Sequence, residues 1–562
     1  MFPLTIYTTE GVGVTRAWPR WKKLFFGVII AILLLSLLEF LLVLLGTEPI
    51  VAYKDPYIGF DASIPHFERR GEVGEPLKMR IARNKLPWFN EQDFTAAKQD
   101  GTYRVFCLGG STTFGRPYDD KTSFCGWLRE FLAVAHPAQT WEVINAGGVS
   151  YASYRVAALM EEIVAYEPDL FIVYTGHNEF LEERTYRDVL ARSTVPRWLA
   201  TAAVRTRIGA LLESLLISSN ESAPSCKLSA VVETALDKTI GPSSYERNDD
   251  LVKKIAEHYE LSLDRMIALA RSVGADIVFI RPACKLLHCS PFKSVPAGPL
   301  PGEQRQVWQE QMKQGRIHLQ NGRYAKALEA LESAAAADGR FAESHFMLGE
   351  TLFALGRYEQ ANEALNRAVN EDVCPLRMTA HLGAALDRVV KRRGVVMVDF
   401  ARLLREHCLR QHGHPVLGSD YFLDHVHPSI EANGLLAQEI AKRLWELSIL
   451  PGQVDLTRDI LGTVKRLVYA GLDPVAHAQA EARLACIYHW AGKPKEAGPL
   501  ALKSLGRYQE DPRTWLIAGI YLNTEGDHDR AEAHLRQAWR MSPIDPRIRQ
   551  ALESAVGDGL DR

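Results

Sequence analysis

The chain has 562 residues, of which 47% are hydrophobic and 24% are charged, a balance typical of globular proteins of two or three domains. Lys and Arg together number 66 and Asp and Glu 68, so a formal net charge of −2 gives no electrostatic reason to expect nucleic-acid binding. The eight cysteines form no C-x-x-C pair, which argues against structural zinc. We therefore expect no cofactor, no metal and no nucleic-acid partner.

Residues 24–46 are almost wholly apolar and match the length of a membrane-spanning helix. Four basic residues lie in the segment 1–23 before it: Arg16, Arg20, Lys22 and Lys23. Their charge predicts that this segment stays cytoplasmic. A signal peptide would have a shorter apolar stretch and a small-residue cleavage site, so we prefer an uncleaved anchor. The prediction is a single-pass protein of a bacterial inner membrane, with its remaining domains periplasmic or otherwise extracytoplasmic. Glu39, the one charge in the span, is expected to be tolerated in its outer third.

Residues 47–100 are interrupted by several prolines and predict a stalk or an edge segment. Beyond them, short runs rich in β-branched and aromatic residues alternate with amphipathic stretches. Five such runs indicate strands: 103–108, 141–144, 170–174, 277–280 and 395–398. Strands that alternate with helices predict an α/β fold with a parallel sheet covered by helices on both faces.

Two segments of the chain repeat with a period of 34 residues, which is typical of tetratricopeptide repeats. The tripeptide Gly-Arg-Tyr at 322–324 recurs at 356–358, and Asp-Pro-Arg at 511–513 recurs at 545–547. We predict inserted all-α repeats at 303–375 and C-terminal repeats at 451–562. Because isolated repeat units expose apolar flanks, the two sets are expected to stack against each other. Repeat surfaces bind peptides or proteins in their concave groove, so the repeats are also expected to bind a protein partner.

Polar motifs follow the first three predicted strands. Gly-Gly-Ser-Thr at 109–112 places Ser111 on a strand-to-helix turn at the carboxyl end of the sheet, where open α/β folds build their sites. Asn-Ala-Gly-Gly-Val-Ser at 145–150 and Gly-His-Asn-Glu at 176–179 follow the next two strands. A glycine-rich turn and an Asn amide can donate hydrogen bonds to the oxygen of a tetrahedral intermediate. Taken alone, the glycines are better explained as a plain turn and Asn178 as a cap, so the chemical interpretation depends on the combination of motifs.

Asp424 and His427 lie three residues apart near the end of the α/β region. One helical turn would place both side chains on the same face. The carboxylate would then hold the imidazole in the tautomer that accepts a serine proton. With Ser111, these residues supply a nucleophile, a base and an orienting carboxylate.

The four motifs, in this order, resemble the four sequence blocks of the SGNH (GDSL-like) hydrolase family, over about residues 103–445 without the inserted repeats. The resemblance implies a three-layer fold built from residues 101–302 and 376–450. It also implies Ser111 as nucleophile, His427 as general base and Asp424 as the residue that orients the base.

The resemblance further implies an oxyanion hole. Its donors would be the backbone N–H of Ser111, a backbone N–H of the second block at Gly148 or Ser150, and the side chain of Asn178. Two positions depart from the family pattern, because Gly110 stands where the family usually has Asp and Ser150 stands where it has Gly.

The implied substrate is an acyl ester, and Ser111 would form an acyl-enzyme with it. If water accepts the acyl group, the protein is a serine ester hydrolase acting on acylated envelope glycans or lipids. If a sugar hydroxyl accepts it, the protein is an O-acyltransferase. A third possibility is an envelope scaffold that has no turnover and binds proteins through its repeats.

Two further interpretations of the same residues are less well supported. Residues 110–115 have phosphate-loop spacing, but Arg116 and Pro117 stand where Lys and Ser or Thr are required. His425 and His427 could bind a metal, yet they lack a carboxylate-and-cysteine cluster at metal-ligand spacing.

Overall fold

The structure is a computed structural model that describes residues 5–6, 14–15, 19–52, 64–71, 76–181, 205–217, 245–299, 301–452, 458–490 and 492–556. It contains two compact units. The first comprises residues 1–58, 83–85 and 191–225, and the second comprises residues 59–82, 86–190 and 226–562.

Helices predominate in the described residues. In chain order they are α1 (Arg20–Leu44), α2 (Ser111–Phe114), α3 (Phe124–Ala135), α4 (Ser153–Ile163), α5 (Arg207–Ile217), α6 (Asp249–Ser272), α7 (Gly302–Gln320), α8 (Tyr324–Ala337), α9 (Ala342–Ala354), α10 (Tyr358–Glu371), α11 (Ala380–Arg393), α12 (Phe400–His412), α13 (Ile430–Glu446), α14 (Arg458–Ala470), α15 (Pro474–Trp490), α16 (Pro494–Leu505), α17 (Pro512–Thr524), α18 (His528–Met541) and α19 (Pro546–Val556). The strands used below are β1 (Phe67–Arg70), β2 (Lys78–Ile81), β3 (Asp93–Thr95), β4 (Thr102–Gly109), β5 (Thr140–Gly147), β6 (Leu170–Tyr174), β7 (Asp276–Arg281) and β8 (Val396–Asp399).

In the first unit, α1 carries the long apolar run. Its length and composition suit a membrane span and equally a signal sequence. Glu39 has partners that the sequence did not reveal, because its carboxylate accepts the N–H groups of Arg207 (2.8 Å) and Ile208 (3.1 Å) at the start of α5. The Arg207 guanidinium lies 3.4 Å away. A helix N-terminus favours a carboxylate, so this contact offsets part of the cost of a charge on an apolar helix.

The second unit is built on a five-stranded parallel sheet in the order β8-β7-β6-β4-β5, which confirms the predicted strands and fold class. Residues 105–108 of β4 are fully buried, as expected for a central parallel strand covered on both faces. Gly109, at the carboxyl end of β4, pairs with Gly147 of β5 on one side and with Tyr174 of β6 on the other. The ends of these three strands therefore meet at one point.

Helices cover both faces of this sheet. On one face, Val105 and Cys107 of β4 pack into a core that includes α3, α12, α13 and α14. On the other face, α4 packs against β4 and α6, and α6 packs against β7 and α11. A small antiparallel sheet, β1-β2-β3, lies beside this layer, where the Phe67 ring packs edge-on against Phe106 of β4. The result is the expected three-layer arrangement.

The repeats follow the predicted period. Helices α8 and α10 start at Tyr324 and Tyr358, and α16 and α18 start at Pro494 and His528, in each case 34 residues apart. Within three helix pairs a glycine faces a leucine, and a Cβ built on that glycine would lie 2.6 Å from the leucine side chain. These pairs are Gly315 with Leu331, Gly349 with Leu365 and Gly519 with Leu535. Glycine at these positions therefore permits the close approach of the two helices.

The expectation that the two repeat sets stack on each other is wrong. In the described stretches, extensive helix packing occurs within each set and not between them. The inserted helices pack against Leu286, Leu287 and Val416, and the C-terminal helices pack against Leu423. Loops of the α/β domain thus cover the apolar flanks that the repeats leave exposed.

Candidate active site

Ser111 lies at the point where the central strand ends. It is the first residue of α2 and directly follows the turn at Gly109 and Gly110. A Cβ built on Gly109 would collide with the Tyr174 carbonyl oxygen, and one built on Gly110 would lie 2.5 Å from the Asn178 amide nitrogen. The two glycines therefore allow the neighbouring strand end and the Asn178 side chain to approach the serine closely.

The structure brings Ser111, His427 and Asp424 together. His427 Nε2 lies 2.8 Å from Ser111 Oγ, and His427 Nδ1 lies 2.5 Å from Asp424 Oδ2. Asp424 is buried, whereas Ser111 and His427 are partly exposed. This arrangement suits transfer of a proton from the serine hydroxyl to the imidazole, with the carboxylate bonded to the opposite ring nitrogen.

Asp424 and His427 do not lie on a helical turn, so that detail of the prediction is wrong. Asp424 Oδ1 accepts the N–H groups of Val426 (2.8 Å) and His427 (2.7 Å), which folds residues 424–427 into a tight loop. Side-chain bonds of this kind compete with helix formation. The helix begins only at Ile430, after Pro428 and after Ser429, whose hydroxyl accepts the N–H of Ala432.

The surroundings of Asp424 and His425 shift the pKa values of both side chains. Burial of the Asp424 carboxyl favours its neutral form, but His427, His425 and the hydrogen bonds from His427 outweigh this and lower the pKa of Asp424 well below its usual value. The pKa of His425 is lowered to about 3, chiefly because its imidazole is buried. At neutral pH, Asp424 is therefore ionised and His425 is neutral.

Of the predicted oxyanion donors, Gly148 is already engaged within the protein. Its N–H donates to the Gly109 carbonyl at 2.9 Å, so the prediction that it donates to substrate is wrong. Ser150 has a φ of +60°, a left-handed conformation that favours glycine. Its N–H has no hydrogen-bond partner among the described residues. Asn178 Nδ2 donates one bond to the Tyr151 carbonyl at 3.0 Å and retains a second N–H.

Two polar residues of the second and third motifs support the surrounding turns. Asn145 Nδ2 donates to the Thr113 carbonyl at 2.9 Å and so holds the turn that carries Ser111. Glu179 accepts the backbone N–H of Ser153 (3.0 Å) and its hydroxyl (2.7 Å) at the start of α4. Neither role requires contact with a substrate. In the parts of the chain that the structure describes, no group of three or more His, Cys, Asp or Glu side chains could hold a metal ion.

Sequence reasoning missed His177, which is buried next to Asn178 and whose Nδ1 accepts the Met378 N–H at 3.1 Å. Burial, followed by the charges of His425 and His427, lowers the pKa of His177 to about 3. In the sequence, only the glycine-rich turn of the second motif and Asn178 of the third motif suggested an oxyanion role, and His177 suggested none. The contact with Met378 joins positions 201 residues apart, so no local pattern could have indicated it.

Because the pKa of His177 is lowered, we expect the fold to lose stability in acid. Its ordinary pKa is 6.5, so as the pH falls below that value the unfolded chain binds a proton that the folded chain excludes until about pH 3. Stability should therefore fall by about 1.4 kcal/mol per pH unit in this window, or about 2 kcal/mol between pH 6.5 and 5. Urea unfolding at pH 7 and pH 5 measures the loss.

The variant His177→Asn, whose amide oxygen can accept the Met378 N–H, should show a pH dependence smaller by this amount. His528→Asn, at an exposed helix start, is the matched control and should keep the wild-type dependence. An unchanged pH dependence in His177→Asn would contradict the prediction.

Comparison with known proteins gives two kinds of match. Residues 312–392 match the family model "Tetratricopeptide repeat", which confirms the predicted repeat type for this segment. A search of curated proteins finds no match. Similar solved structures include GDSL-family hydrolases and acetylxylan esterases.

Three of these structures illustrate the range. LAE5, an α/β hydrolase from the metagenome of Lake Arreo, Spain, is 12% identical, with 62% of this chain and 97% of that chain covered and a TM-score of 0.28. Axe2, an acetylxylan esterase from Geobacillus stearothermophilus, is 11% identical, with 63% and 97% covered and a TM-score of 0.28. A GDSL-like lipase from Bacteroides thetaiotaomicron is 10% identical, with 61% and 88% covered and a TM-score of 0.25.

Proposed function

We propose that this chain is a membrane-anchored, outward-facing serine ester hydrolase. The observation that carries the proposal is the continuous hydrogen-bonded series from Ser111 Oγ to His427 Nε2 (2.8 Å) and from His427 Nδ1 to Asp424 Oδ2 (2.5 Å). Nucleophile, base and orienting group are recognised by such geometry and not by their order in the chain.

In the proposed reaction, Ser111 Oγ attacks the ester carbonyl carbon while His427 Nε2 takes the hydroxyl proton. Ionised Asp424 stabilises the imidazolium that results. Collapse of the tetrahedral intermediate breaks the bond to the alcohol oxygen, which receives the proton from His427. The acyl group remains on Ser111. Water then attacks this acyl-enzyme, His427 again moves the proton, and the carboxylic acid is released.

The oxyanion of the intermediate needs donors that are not already engaged. We assign this role to the backbone N–H groups of Ser111 and Ser150 and to the free N–H of Asn178. Gly148 is left out because its N–H is bonded to Gly109. The left-handed backbone at Ser150 supports the assignment, since it turns this peptide unit in a way that glycine usually permits.

The natural substrate is proposed to be an acylated envelope glycan or lipid. Support comes from α1, whose length and composition suit a membrane anchor and would keep the site near the cell envelope. An O-acyltransferase would use the same three residues with a sugar hydroxyl in place of water. A protein partner is assigned to the C-terminal repeats, where a groove of about 560 Å³ is lined by residues that include Trp490, Ile520 and Arg513.

A fluorophosphonate probe tests the nucleophile. Attack by Ser111 Oγ on phosphorus expels fluoride and leaves a stable adduct, so the full-length chain in detergent should be labelled on the peptide that contains Ser111. Ser111→Ala should lose the label. Ser272→Ala, at the exposed end of α6, is the control and should keep it. Labelling that persists in Ser111→Ala would refute the proposal.

The acyl acceptor is tested by hydrolysis of a chromogenic acetyl ester. With water as the only acceptor, an ester hydrolase turns over repeatedly. A dedicated transferase would give a single burst of chromophore and resume only when a glycan hydroxyl is added. Continued turnover in buffer alone supports the hydrolase, whereas dependence on the glycan would support the transferase. A chain that is neither labelled nor active would favour a scaffold.

A further inference from the structure

A helix of the C-terminal repeats touches the loop that carries Asp424 and His427. The side chain of Leu423, the residue before Asp424, packs into the apolar core formed by α15, α16 and α17. Tyr488 of α15 is buried, and its hydroxyl donates to the Leu423 carbonyl at 3.1 Å. The Leu423 N–H in turn donates to the His427 carbonyl at 2.9 Å, so one residue links the repeat helix to the base.

A second contact from the repeats is made to the segment at 290–292, which itself packs against the same loop. Lys493, between α15 and α16, is buried, and its Nζ donates to the Ser290 carbonyl at 3.0 Å. The ammonium also lies 4.5 Å above the ring of Phe292, a favourable cation–π distance. The Phe292 ring in turn meets His425 edge-on, with their centroids 5.0 Å apart.

The segment that Lys493 holds is itself bonded to the loop. The Lys285 N–H donates to the His425 carbonyl at 3.0 Å. Residues 423–427 are thus held at Leu423 by Tyr488 and at His425 by the 285–292 segment. Inside the loop, the Asp424 carboxylate accepts the N–H groups of Val426 and His427, and a short bridge joins Phe422 to Pro428.

We infer that the C-terminal repeats form part of the active-site machinery, with Tyr488 as a positioning residue that holds Asp424 and His427 in line with Ser111. This inference rests on the proposed function. Tyr488 reaches no reacting atom and acts through the Leu423 carbonyl. Since proton transfer depends on sub-ångström alignment of Ser111 and His427, loss of the restraint should slow the chemical step more than it weakens binding of a small ester.

The test is Tyr488→Phe in the full-length chain, which removes the hydroxyl and keeps the ring. We expect kcat for the chromogenic acetyl ester to fall about tenfold, KM to stay within about twofold, and labelling of Ser111 by the fluorophosphonate to slow by the same factor as kcat. Lys493→Met, which keeps the apolar stem and loses the donor, should change kcat in the same direction.

Tyr521→Phe is the matched control, because Tyr521 lies on α17 of the same repeats and its side chain packs against Gly498 of α16. It should keep the wild-type kcat and thermal midpoint. The inference is overturned if Tyr488→Phe keeps the wild-type kcat, or if its KM rises while kcat is unchanged. A wild-type chain that is neither labelled nor active overturns the proposed function as well, so the two failures can be distinguished.

Discussion

Alanine in place of His427 is expected to lower kcat for ester hydrolysis by about 10⁴- to 10⁶-fold. His427 Nε2 lies 2.8 Å from Ser111 Oγ and is the group positioned to take its proton. Without a base, the serine hydroxyl is a weak nucleophile at neutral pH. Steady-state hydrolysis of a chromogenic acetyl ester by the full-length chain in detergent measures the effect, and KM should change much less than kcat.

Two controls separate loss of the base from loss of the fold. His412→Ala, at the exposed end of α12, should keep the wild-type rate. Added imidazole should restore part of the activity of His427→Ala, because the small base can occupy the space left by the ring. A His427→Ala rate within tenfold of wild type would show that another group takes the proton.

Much of the fold could be predicted because it depends on local pattern. The run at 105–108 is uniformly apolar since β4 is buried on both faces, and it stops at Gly109 where the sheet ends. The repeats were predictable because the same tripeptides recur 34 residues apart, and the Gly-Arg-Tyr copies at 322–324 and 356–358 end at the first residues of α8 and α10. Strand order was not predictable, since it is set by packing between segments far apart in the chain.

The candidate site was predictable only in part. The spacing of Asp424 and His427 singled out two side chains that the structure does bring into contact. The helical turn expected between them is absent, because hydrogen bonds from the backbone to Asp424 compete with a helix. Which residue of the second motif has a backbone N–H available for the oxyanion depends on the direction of single peptide groups. Gly148 donates to the neighbouring strand end, whereas Ser150 has its N–H free among the described residues, and the sequence contains no signal for that difference.

The repeats show the same limit on a larger scale. Their period predicted helix pairs, yet it did not predict their contacts with the loop at 423–427, which join the Leu423 side chain to the repeat core and the Tyr488 hydroxyl to the Leu423 carbonyl. A tyrosine on a repeat helix usually packs in the repeat core, and nothing in the spacing of Tyr488 marks it as a donor to a loop of another domain. Such contacts are visible only after both domains are folded.

Removal of the Asn178 side chain is expected to lower kcat by about 10²- to 10³-fold with little change in KM, since loss of one oxyanion donor acts mainly on the transition state. One N–H of this amide is held by the Tyr151 carbonyl at 3.0 Å, which fixes the orientation of the other. The close approach of Asn178 Nδ2 to Gly110 places the amide beside the turn that carries Ser111. The measurement is kcat and KM of Asn178→Ala for the chromogenic acetyl ester.

Asn178→Asp and Ser150→Gly make this prediction specific. Asp at 178 keeps the shape of the side chain but donates no hydrogen bond when ionised, so its kcat should fall at least as far as that of the alanine variant. Gly at 150 keeps the backbone N–H and adopts a φ of +60° without strain, so the kcat of Ser150→Gly should stay within about twofold of wild type. If Asn178→Asp retained wild-type kcat, the side chain would serve only to hold Tyr151, and the oxyanion would have to be bound by the backbone N–H groups of Ser111 and Ser150 alone.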